Sequence, residues 1–375
     1  MIRILFLIRS LDTGGAEKQL CNLVKGLDKR MFDIYVITFY DGGRFRHELE
    51  GIPEIHLISL GKKKRWDLLP LFYRLFVHLK KIRPQILHGY MEVPNLLCLL
   101  MGKILGVKVV WGVRSSYMNL SEYSWTDRWL SKLAVWFSRI PDLIISNSYA
   151  GKEYSIQSGF PSENITVINN GIDINKYHPN RMVGNKLRES CRIDDNQLFV
   201  GMVGRLDPIK DHATFIKAAV LIVEQNPSVR FVLIGSGDAE YKKGIERMIN
   251  ENKLSKKVCL IEHLDDMVAA YNSLDISCLS SYGEGFPNTL AEAMACGIPV
   301  VTTDVGDAKH IIGDAGIVVP VGDHNGLAAG ILKIAAMTQS ERHELGARGR
   351  ARIVKNFSLE LMVSHTENVI RKLIA

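Results

Sequence analysis

The chain contains 375 residues, of which 47% are hydrophobic and 23% charged, and this composition excludes a disordered chain and predicts two or three folded domains. Its 47 Lys and Arg residues exceed its 40 Asp and Glu residues by seven, which gives a net charge of +7. This charge is compatible with an anionic ligand, a nucleic acid or a membrane surface and does not distinguish between them. No apolar segment reaches the ~20 residues that span a bilayer, and the apolar run 4–8 predicts a strand and not a signal peptide. We therefore expect a cytoplasmic protein.

In the first half of the chain, short apolar runs rich in β-branched residues alternate with longer amphipathic segments. This alternation predicts a parallel sheet with helices on both faces. The strands are predicted at 2–8, 32–40, 54–59, 85–88, 107–112, 143–147 and 165–168. The helices are predicted at 16–27, 68–82, 95–105 and 127–137.

A stretch rich in turn-forming residues, 169–179, interrupts the pattern and predicts a domain linker. The alternation then restarts, with strands predicted at 199–203, 231–234, 258–261, 276–279 and 299–302, and helices at 213–223, 289–296, 326–336, 341–355 and 359–374. The fold class is therefore predicted as α/β, with two Rossmann-like domains, 1–175 and 176–357, facing each other across a cleft. Ligands of such sheets bind at the carboxyl ends of the strands.

The first candidate site is the pair Gly14-Gly15, directly after the first predicted strand. Paired glycines let a ligand approach the backbone, and the first turn of the following helix points its N–H groups at an anion. A plain tight turn between strand and helix explains the same residues equally well. The pattern is not the GxGxxG of dinucleotide-binding proteins.

Two cations follow the first predicted strand of the second half. Arg205 comes after Gly204 at the strand end, and Lys210 lies five residues further on. An arginine can hold a phosphate with two N–H groups, and a lysine adds a point charge. Isolated surface cations are usually only solvated, but a position after a strand end favours a ligand site.

The most specific pattern is the stretch 284–301, which reads EGFPNTLAEAMACGIPVV. Glu284 lies on a loop that contains Gly and Pro, and Glu292 lies inside the next predicted helix among alanines. A carboxylate among small residues is poorly suited to core packing and well suited to accept hydrogen bonds from sugar hydroxyls. The helix N-terminus near Asn288 can meet a phosphate. An amphipathic helix with solvated glutamates is the weaker interpretation.

The stretch 284–301 resembles the signature of the family 4 retaining glycosyltransferases, also called group 1, which have the two-domain GT-B fold. Other segments resemble the same family, in the expected order and along most of the chain. They are GGAE at 14–17, SNS at 146–148, GFP at 159–161, NGID at 170–173, GRL at 204–206 with Lys210, GSG at 235–237, TDVG at 303–306 and GDAG at 313–316. Their joint occurrence is far more specific than any single motif.

The resemblance implies a role for each candidate residue. Arg205 and Lys210 would hold the diphosphate of a nucleotide-sugar donor, Glu292 would bind the ribose hydroxyls, and Glu284 would lie near the donor sugar. The remaining donor-binding positions, where backbone groups are expected to act, are Gly14, Gly15, Gly204, Leu264 within the segment 263–265, Gly285, Phe286, Pro287 and Asn288.

The resemblance also implies that the two domains bind different substrates. Residues 1–175 would bind the acceptor, and residues 176–357 would bind the nucleotide-sugar. The final helix, 358–375, is expected to pack back on the N-terminal domain.

One departure from the family affects the reaction centre. Many relatives have a histidine at the position of Arg114. An arginine can stabilise negative charge but cannot act as a general base, so we place Arg114 with Arg205, Lys210 and Glu284 among the catalytic candidates. His88, at the end of an earlier strand, is interpreted as a structural residue.

The reaction implied by the resemblance is sugar transfer with retention at the anomeric carbon, with UDP as the expected nucleotide. The chain has no Asp-x-Asp triplet and no CxxC pair, so no metal site and no cofactor besides the nucleotide-sugar substrate are predicted. A front-face attack and a covalent intermediate both stay open.

Three other classes of protein compete with this interpretation. A sugar-nucleotide epimerase of the same fold would use the same cleft. A dehydrogenase is disfavoured because the segment 235–238 lacks the third glycine of its fingerprint, and a nucleic-acid-binding protein because no recognition motif accompanies the charge.

The positive charge lies wholly in the first half of the chain, since residues 1–180 carry a net charge of +8 and residues 181–375 one of −1. It is concentrated in 62–83, where apolar residues recur at helical spacing between Lys and Arg clusters. Such a helix suits an anionic membrane surface and the protein core equally well. With the family's common role in surface polysaccharide assembly, it predicts a glycan or lipid-diphosphate-linked acceptor and a peripheral position at the inner membrane face.

Overall fold

The computed structural model describes residues 1–63, 67–114, 125–262 and 264–375, and of Asp127 only the backbone. The chain divides into two units. The first comprises Met1–Gly171 and Leu359–Ala375, and the second comprises Ile172–Ser358. Each unit is a parallel sheet covered by helices on both faces, as the alternating pattern predicts. None of the helices in the described parts of the chain is long and apolar enough to cross a membrane.

The first unit contains a seven-stranded parallel sheet in the order β3-β2-β1-β4-β5-β6-β7. Its strands are β1 (Ile2–Ile8), β2 (Phe32–Thr38), β3 (Ile55–Ser59), β4 (Ile86–Tyr90), β5 (Lys108–Val113), β6 (Leu143–Ser146) and β7 (Ile165–Val167). Its helices are α1 (Gly15–Gly26), α2 (Arg44–Glu50), α3 (Leu68–Ile82), α4 (Glu92–Leu105), α5 (Trp125–Phe137), α6 (Tyr149–Gln157) and, from the end of the chain, α15 (Leu359–Ile374).

The alternation of side chains along β1 explains why both faces of this sheet are covered. Ile4 and Phe6 belong to the apolar core on one face, which α1 and α15 cover. Leu5 and Leu7 point to the other face, whose core is shared by α3, α4 and α5.

The second unit contains a six-stranded parallel sheet in the order β10-β9-β8-β11-β12-β13. Its strands are β8 (Phe199–Val203), β9 (Arg230–Ile234), β10 (Val258–Ile261), β11 (Ile276–Leu279), β12 (Val300–Thr303) and β13 (Gly316–Val319). Its helices are α7 (Arg181–Ser190), α8 (His212–Gln225), α9 (Ala239–Glu251), α10 (Met267–Ser273), α11 (Asn288–Ala295), α12 (Ala308–Ile312), α13 (His324–Ala335) and α14 (Gln339–Asn356).

The division between the units falls four residues before the expected boundary at 175 and one residue after that at 357. The Ile172 N–H donates to the Phe357 carbonyl oxygen at 2.9 Å, and Ile172 also forms a parallel bridge with Ser358. The first residue of the second unit is therefore paired with its last two residues, so the chain enters and leaves this unit at adjacent positions.

The final helix belongs to the first unit because it packs closely on α1. A Cβ atom on Gly26 would lie 2.5 Å from Val363 Cγ2, so only glycine fits between the two helices. Beside this contact, the Asp28 N–H donates to Glu367 Oε1 at 2.8 Å. The end of the chain is thus fixed by packing and by a hydrogen bond.

We expect Gly26→Ala to lower the melting temperature, by an amount equivalent to about 1–3 kcal/mol, because the added methyl group overpacks this contact. Val363→Ala in the same chain should restore part of the loss. Gly244→Ala in α9 is the matched control, since a Cβ there meets nothing within 4 Å and removes backbone entropy from the unfolded chain. Equal melting temperatures for the two single variants would contradict the proposed contact.

Candidate active site

The strand order of the second sheet reverses between β8 and β11, and a crevice outside the carboxyl ends of such strands is where ligands of α/β sheets bind. Gly204 and Arg205 follow β8, and Lys210 closes the short 3₁₀ helix Pro208–Lys210. Glu284 lies on the loop after β11. The sequence-predicted donor residues of this half are therefore brought to the edge of the sheet where a ligand is expected.

The pair Lys210–Glu284 joins these two loops. Lys210 Nζ lies 2.5 Å from Glu284 Oε1, and the two side chains are only 14% and 13% exposed. The Ser281 hydroxyl donates to the same carboxylate oxygen at 2.9 Å, and the Ser280 hydroxyl donates to the Lys210 carbonyl oxygen at 3.0 Å. Residues 74 positions apart are thus held together by a charge-assisted bond with little water around it.

Arg205 is held differently. Its guanidinium lies 3.2 Å from the Asp207 carboxylate, and its side chain is 70% exposed. The Asp207 carboxylate also accepts a hydrogen bond from the Ile209 N–H at 3.1 Å, which caps the 3₁₀ helix. An exposed ion pair contributes little to stability, so this arginine can leave Asp207 for a more highly charged anion at little cost.

The loops after β8 and β9 touch backbone to backbone. A Cβ atom on Gly235 would lie 1.8 Å from the Gly204 carbonyl oxygen, and one on Gly237 would lie 2.0 Å from that of Leu206. The Leu206 N–H donates to the Ser236 carbonyl oxygen at 2.9 Å. The glycines of the segment 235–237 therefore hold the loop that carries Arg205.

A second backbone contact fixes the loop of Glu284. Gly306 has a φ of +53°, and a Cβ atom there would lie 2.4 Å from the carbonyl oxygens of both Glu284 and Gly285. The Asp307 N–H donates to the Gly285 carbonyl oxygen at 2.9 Å. Phe286 is buried and packs edge-on against Phe357, so its side chain anchors the loop in the core.

Glu292 lies on α11 and is only 4% exposed. The Tyr271 hydroxyl, from α10, donates to Glu292 Oε2 at 2.8 Å. Burial raises the pKa of Tyr271 well above its usual value, and the Glu292 carboxylate raises it further. The tyrosine is therefore a neutral donor that orients the carboxylate, a positioning residue that the sequence analysis missed.

The remaining predicted donor residues of the second unit lie on the loop before α10 and at the start of α11. Leu264 is half-buried against the core of the second unit, while His263 lies outside the described residues. Pro287 immediately precedes α11, and Asn288 is its first residue. Backbone roles for Gly204, Gly285 and these residues stay predictions.

In the first unit, Gly14 and Gly15 lie where α1 begins, directly after the loop that follows β1. A Cβ atom on Gly14 would lie 2.1 Å from Glu17 Oε2, so the side chain of Glu17 folds back over this glycine. A carboxylate in the first turn is favourable at the positive end of a helix. An anion bound at the N-terminus of α1 would have to displace this carboxylate.

The ends of β4 and β5 form a second polar group in this unit. The Arg114 guanidinium lies 4.3 Å from the centre of the Tyr90 ring. His88 is fully buried, with its ring centre 5.3 Å from that of Phe6 and 4.9 Å from that of Tyr90. Neither ring nitrogen of His88 has a hydrogen-bond partner among the described residues. The structural role expected for His88 stays a prediction.

The fold is similar to that of two-domain glycosyltransferases of known structure. The HepE protein of Anabaena, crystallised with UDP-glucose, matches with a TM-score of 0.85 and 24% identity over 99% of this chain and 100% of that one. A sucrose-phosphate synthase from Thermosynechococcus elongatus matches with a TM-score of 0.84 and 18% identity over 100% and 99%. The protein is therefore of the GT-B class, with two Rossmann-like units.

Comparison of the sequence with family models narrows this class. Residues 13–176 match the model of glycosyltransferase family 4, and residues 184–352 match that of the glycosyl transferases group 1. The chain belongs to glycosyltransferase family 4, as the resemblance of its motifs predicts.

Two relatives show the kind of protein to which the chain is similar. It is 30% identical over 240 residues to the capsular polysaccharide biosynthesis glycosyltransferase CapM of Staphylococcus aureus, a match that spans 60% of each chain. It is 26% identical over 342 residues to the N-acetylgalactosamine-N,N'-diacetylbacillosaminyl-diphospho-undecaprenol 4-alpha-N-acetylgalactosaminyltransferase of Campylobacter jejuni, which covers 86% of this chain and 87% of that protein.

We expect Gly306→Ala to displace the loop of Glu284, because its added methyl group meets two carbonyl oxygens. Transfer activity should fall by at least about tenfold, as displaced catalytic groups lose their alignment. Gly322→Ala is the matched control: Gly322 has a φ of +75°, but a Cβ atom there meets nothing within 4 Å. Both variants carry backbone strain, so a similar activity for the two would contradict the positioning role of Gly306.

The buried His88 predicts a loss of stability in acid. Burial lowers the pKa of His88 well below its usual value of 6.5, and nearby Arg114 lowers it further. Below pH 6.5 the unfolded chain binds a proton that the folded chain does not, so stability falls as the pH decreases through this value. Between pH 7.5 and 5.5 the melting temperature of His88→Leu should fall less than that of the wild type. The exposed His343→Gln serves as control, and an unchanged slope for His88→Leu would be the contrary result.

Proposed function

We propose that the chain transfers a sugar from a UDP-sugar to a glycan or lipid-diphosphate-linked acceptor during assembly of a bacterial surface polysaccharide. The transfer retains the configuration of the anomeric carbon and uses no metal ion or other cofactor. The names of two relatives support the class of acceptor, since one acts in capsular polysaccharide biosynthesis and another on a diphospho-undecaprenol-linked sugar. The complex of HepE with UDP-glucose supports the nucleotide.

The observation that carries the proposal is the pair Lys210–Glu284 at the carboxyl ends of β8 and β11, with Arg205 on the same segment after β8 as Lys210. An ammonium group has three N–H donors, and only one of them is needed for Glu284. The carboxylate thus orients Lys210 while leaving it able to donate to a phosphate. The exposed guanidinium of Arg205 supplies a second, mobile cation.

These groups suit the charge that develops during sugar transfer. As the bond between the anomeric carbon and the diphosphate breaks, negative charge builds on the leaving phosphate oxygen. Fixed donors at that oxygen lower the barrier because they need no rearrangement at the moment of reaction. Lys210 and Arg205 are proposed for this role, and the catalytic role expected for Arg114 in the first unit stays a prediction.

Glu292 is proposed to hold the ribose of the donor. A buried carboxylate oriented by Tyr271 accepts hydrogen bonds from neighbouring hydroxyl groups with little loss of side-chain entropy. Its binding energy is the same in the ground state and the transition state, so it contributes to affinity more than to rate.

The acceptor is proposed to reach the enzyme at the inner membrane face, where the basic segment 62–83 attracts anionic lipid. Lys64 and Arg65 of this segment lie outside the described residues. The rest of it includes α3, whose buried face (Leu71, Leu75, Leu79 and Ile82) packs in the core, while Lys80 and Lys81 are exposed. The core-packed and the membrane-facing interpretations of this helix are therefore compatible.

A panel of nucleotide-sugars, each added to the purified protein in a thermal melt, tests the donor site. A true donor at a hundred times its Kd stabilises the folded state by about 2.7 kcal/mol. Arg205→Ala and Glu292→Ala should abolish this shift, and Arg205→Ala should lower kcat by about 10²–10³-fold.

Lys256→Ala removes an exposed cation elsewhere in the second unit and should leave both the shift and kcat unchanged. If both Arg205→Ala and Glu292→Ala keep the full thermal shift, the donor site is wrong. Product analysis distinguishes the reaction: release of UDP with a new glycoside supports the transferase, and an epimerised nucleotide-sugar without release contradicts it.

A further inference from the structure

Three tryptophan side chains extend from one helix of the first unit into solvent. On α5, Trp125, Trp129 and Trp136 are 72%, 58% and 77% exposed. At about 100° per residue these positions fall within about 40° of one another around the helix axis, so they form a single stripe. Tryptophan carries one of the largest apolar surfaces of any side chain, and a folded protein normally covers most of it.

The other helices of this layer also expose apolar side chains. α3, α4 and α5 share one core and cover the same face of the first sheet. The large apolar side chains that α3 and α4 leave exposed on this layer are Leu68, Leu69, Tyr73, Val77, Val93, Leu100 and Ile104. In the described part of the second unit, by contrast, only Met182, Val321 and Val354 are exposed large apolar residues, and none is aromatic.

Cations are interspersed with this apolar surface. Lys132 lies on the stripe itself, with its Nζ 5.6 Å from the centre of the Trp129 ring. Arg128 and Arg139 are exposed on and just beyond α5, and Lys103 is exposed on α4. The core of a protein–protein interface is enriched in tryptophan and arginine but depleted in lysine, and here Lys132 lies on the stripe. Tryptophan with long basic side chains is instead the composition of a surface at the boundary between lipid headgroups and acyl chains.

We propose that the tryptophan stripe of α5 inserts into the surface of an anionic lipid bilayer. Lys132, Arg128 and Arg139 then reach the headgroup phosphates, and the exposed apolar residues of α3 and α4 lie against the same bilayer. The inference rests on the proposed function for its purpose, because a lipid-linked acceptor is presented at such a surface. The site of insertion follows from α5 alone.

Binding of the full chain to lipid vesicles, with no acceptor present, tests the proposed insertion directly. The wild type should sediment with phosphatidylcholine vesicles that contain phosphatidylglycerol, and less with pure phosphatidylcholine. Brominated acyl chains should quench its tryptophan fluorescence. The triple variant Trp125→Ala/Trp129→Ala/Trp136→Ala should bind the anionic vesicles at least about tenfold more weakly. Lys132→Gln should weaken binding at low salt only, since salt screens its charge.

The matched control is Met182→Ala/Val321→Ala/Val354→Ala, which removes the exposed apolar groups of the second unit and should bind vesicles like the wild type. The tryptophan variant should keep the thermal shift with nucleotide-sugar, which shows that it is folded. Unchanged vesicle binding by that variant would overturn the proposal. So would light scattering that shows a wild-type dimer and a monomeric tryptophan variant, because the stripe would then join two copies. A wild type that binds vesicles but no nucleotide-sugar would refute the proposed function alone.

Discussion

The candidate site of the second unit depends on places where two backbones touch and no side chain fits between them. Gly235 and Gly237 press the loop after β9 onto the loop that carries Arg205, and Gly306 presses the loop after β12 onto that of Glu284. Loops are normally the most mobile parts of an α/β protein. Here the loop after β8 is supported by the backbone of the loop after β9, and the loop after β11 by that of the loop after β12. The charged side chains are therefore positioned by backbone contacts between adjacent loops.

This constraint explains how Lys210 and Glu284 can form a partly buried pair. Two charges with little water around them are stable only when their geometry is held. The Gly306 contact holds Glu284 on one side, and the Ser280 hydroxyl holds the backbone of Lys210 on the other. The two candidate cations of this site therefore each face a carboxylate, Lys210 that of Glu284 and Arg205 that of Asp207.

Much of this arrangement could be predicted from the sequence. Every strand except β13 was predicted, because β-branched apolar runs are distinctive, and Glu284 and Glu292 were singled out because carboxylates are unusual in their surroundings. The helices α2, α6, α7, α9, α10 and α12 were not predicted. Of these, α2, α10 and α12 have at most seven residues, which are too few to show a helical period. Tyr271 was missed with α10, since nothing in its neighbourhood in sequence indicates that it faces Glu292, 21 positions away.

The exposure of the three tryptophans illustrates the same limit. Their spacing on α5 is visible in the sequence, but an apolar stripe at helical spacing predicts a buried face as readily as an exposed one. The structure settles the question, because Ala134 of α5 belongs to the buried core on this face of the sheet, whereas the tryptophans do not. Part of the positive charge of the first half lies on this layer, because Lys80 and Lys81 of α3, Lys103 of α4, and Arg128 and Lys132 of α5 are exposed there with the apolar residues. Cations pair with carboxylates in both units, as in Lys108–Asp142 and Arg188–Asp275. Lys132, by contrast, lies over the ring of Trp129 on an exposed helix face, a combination of charge and apolar surface that suits a lipid headgroup region.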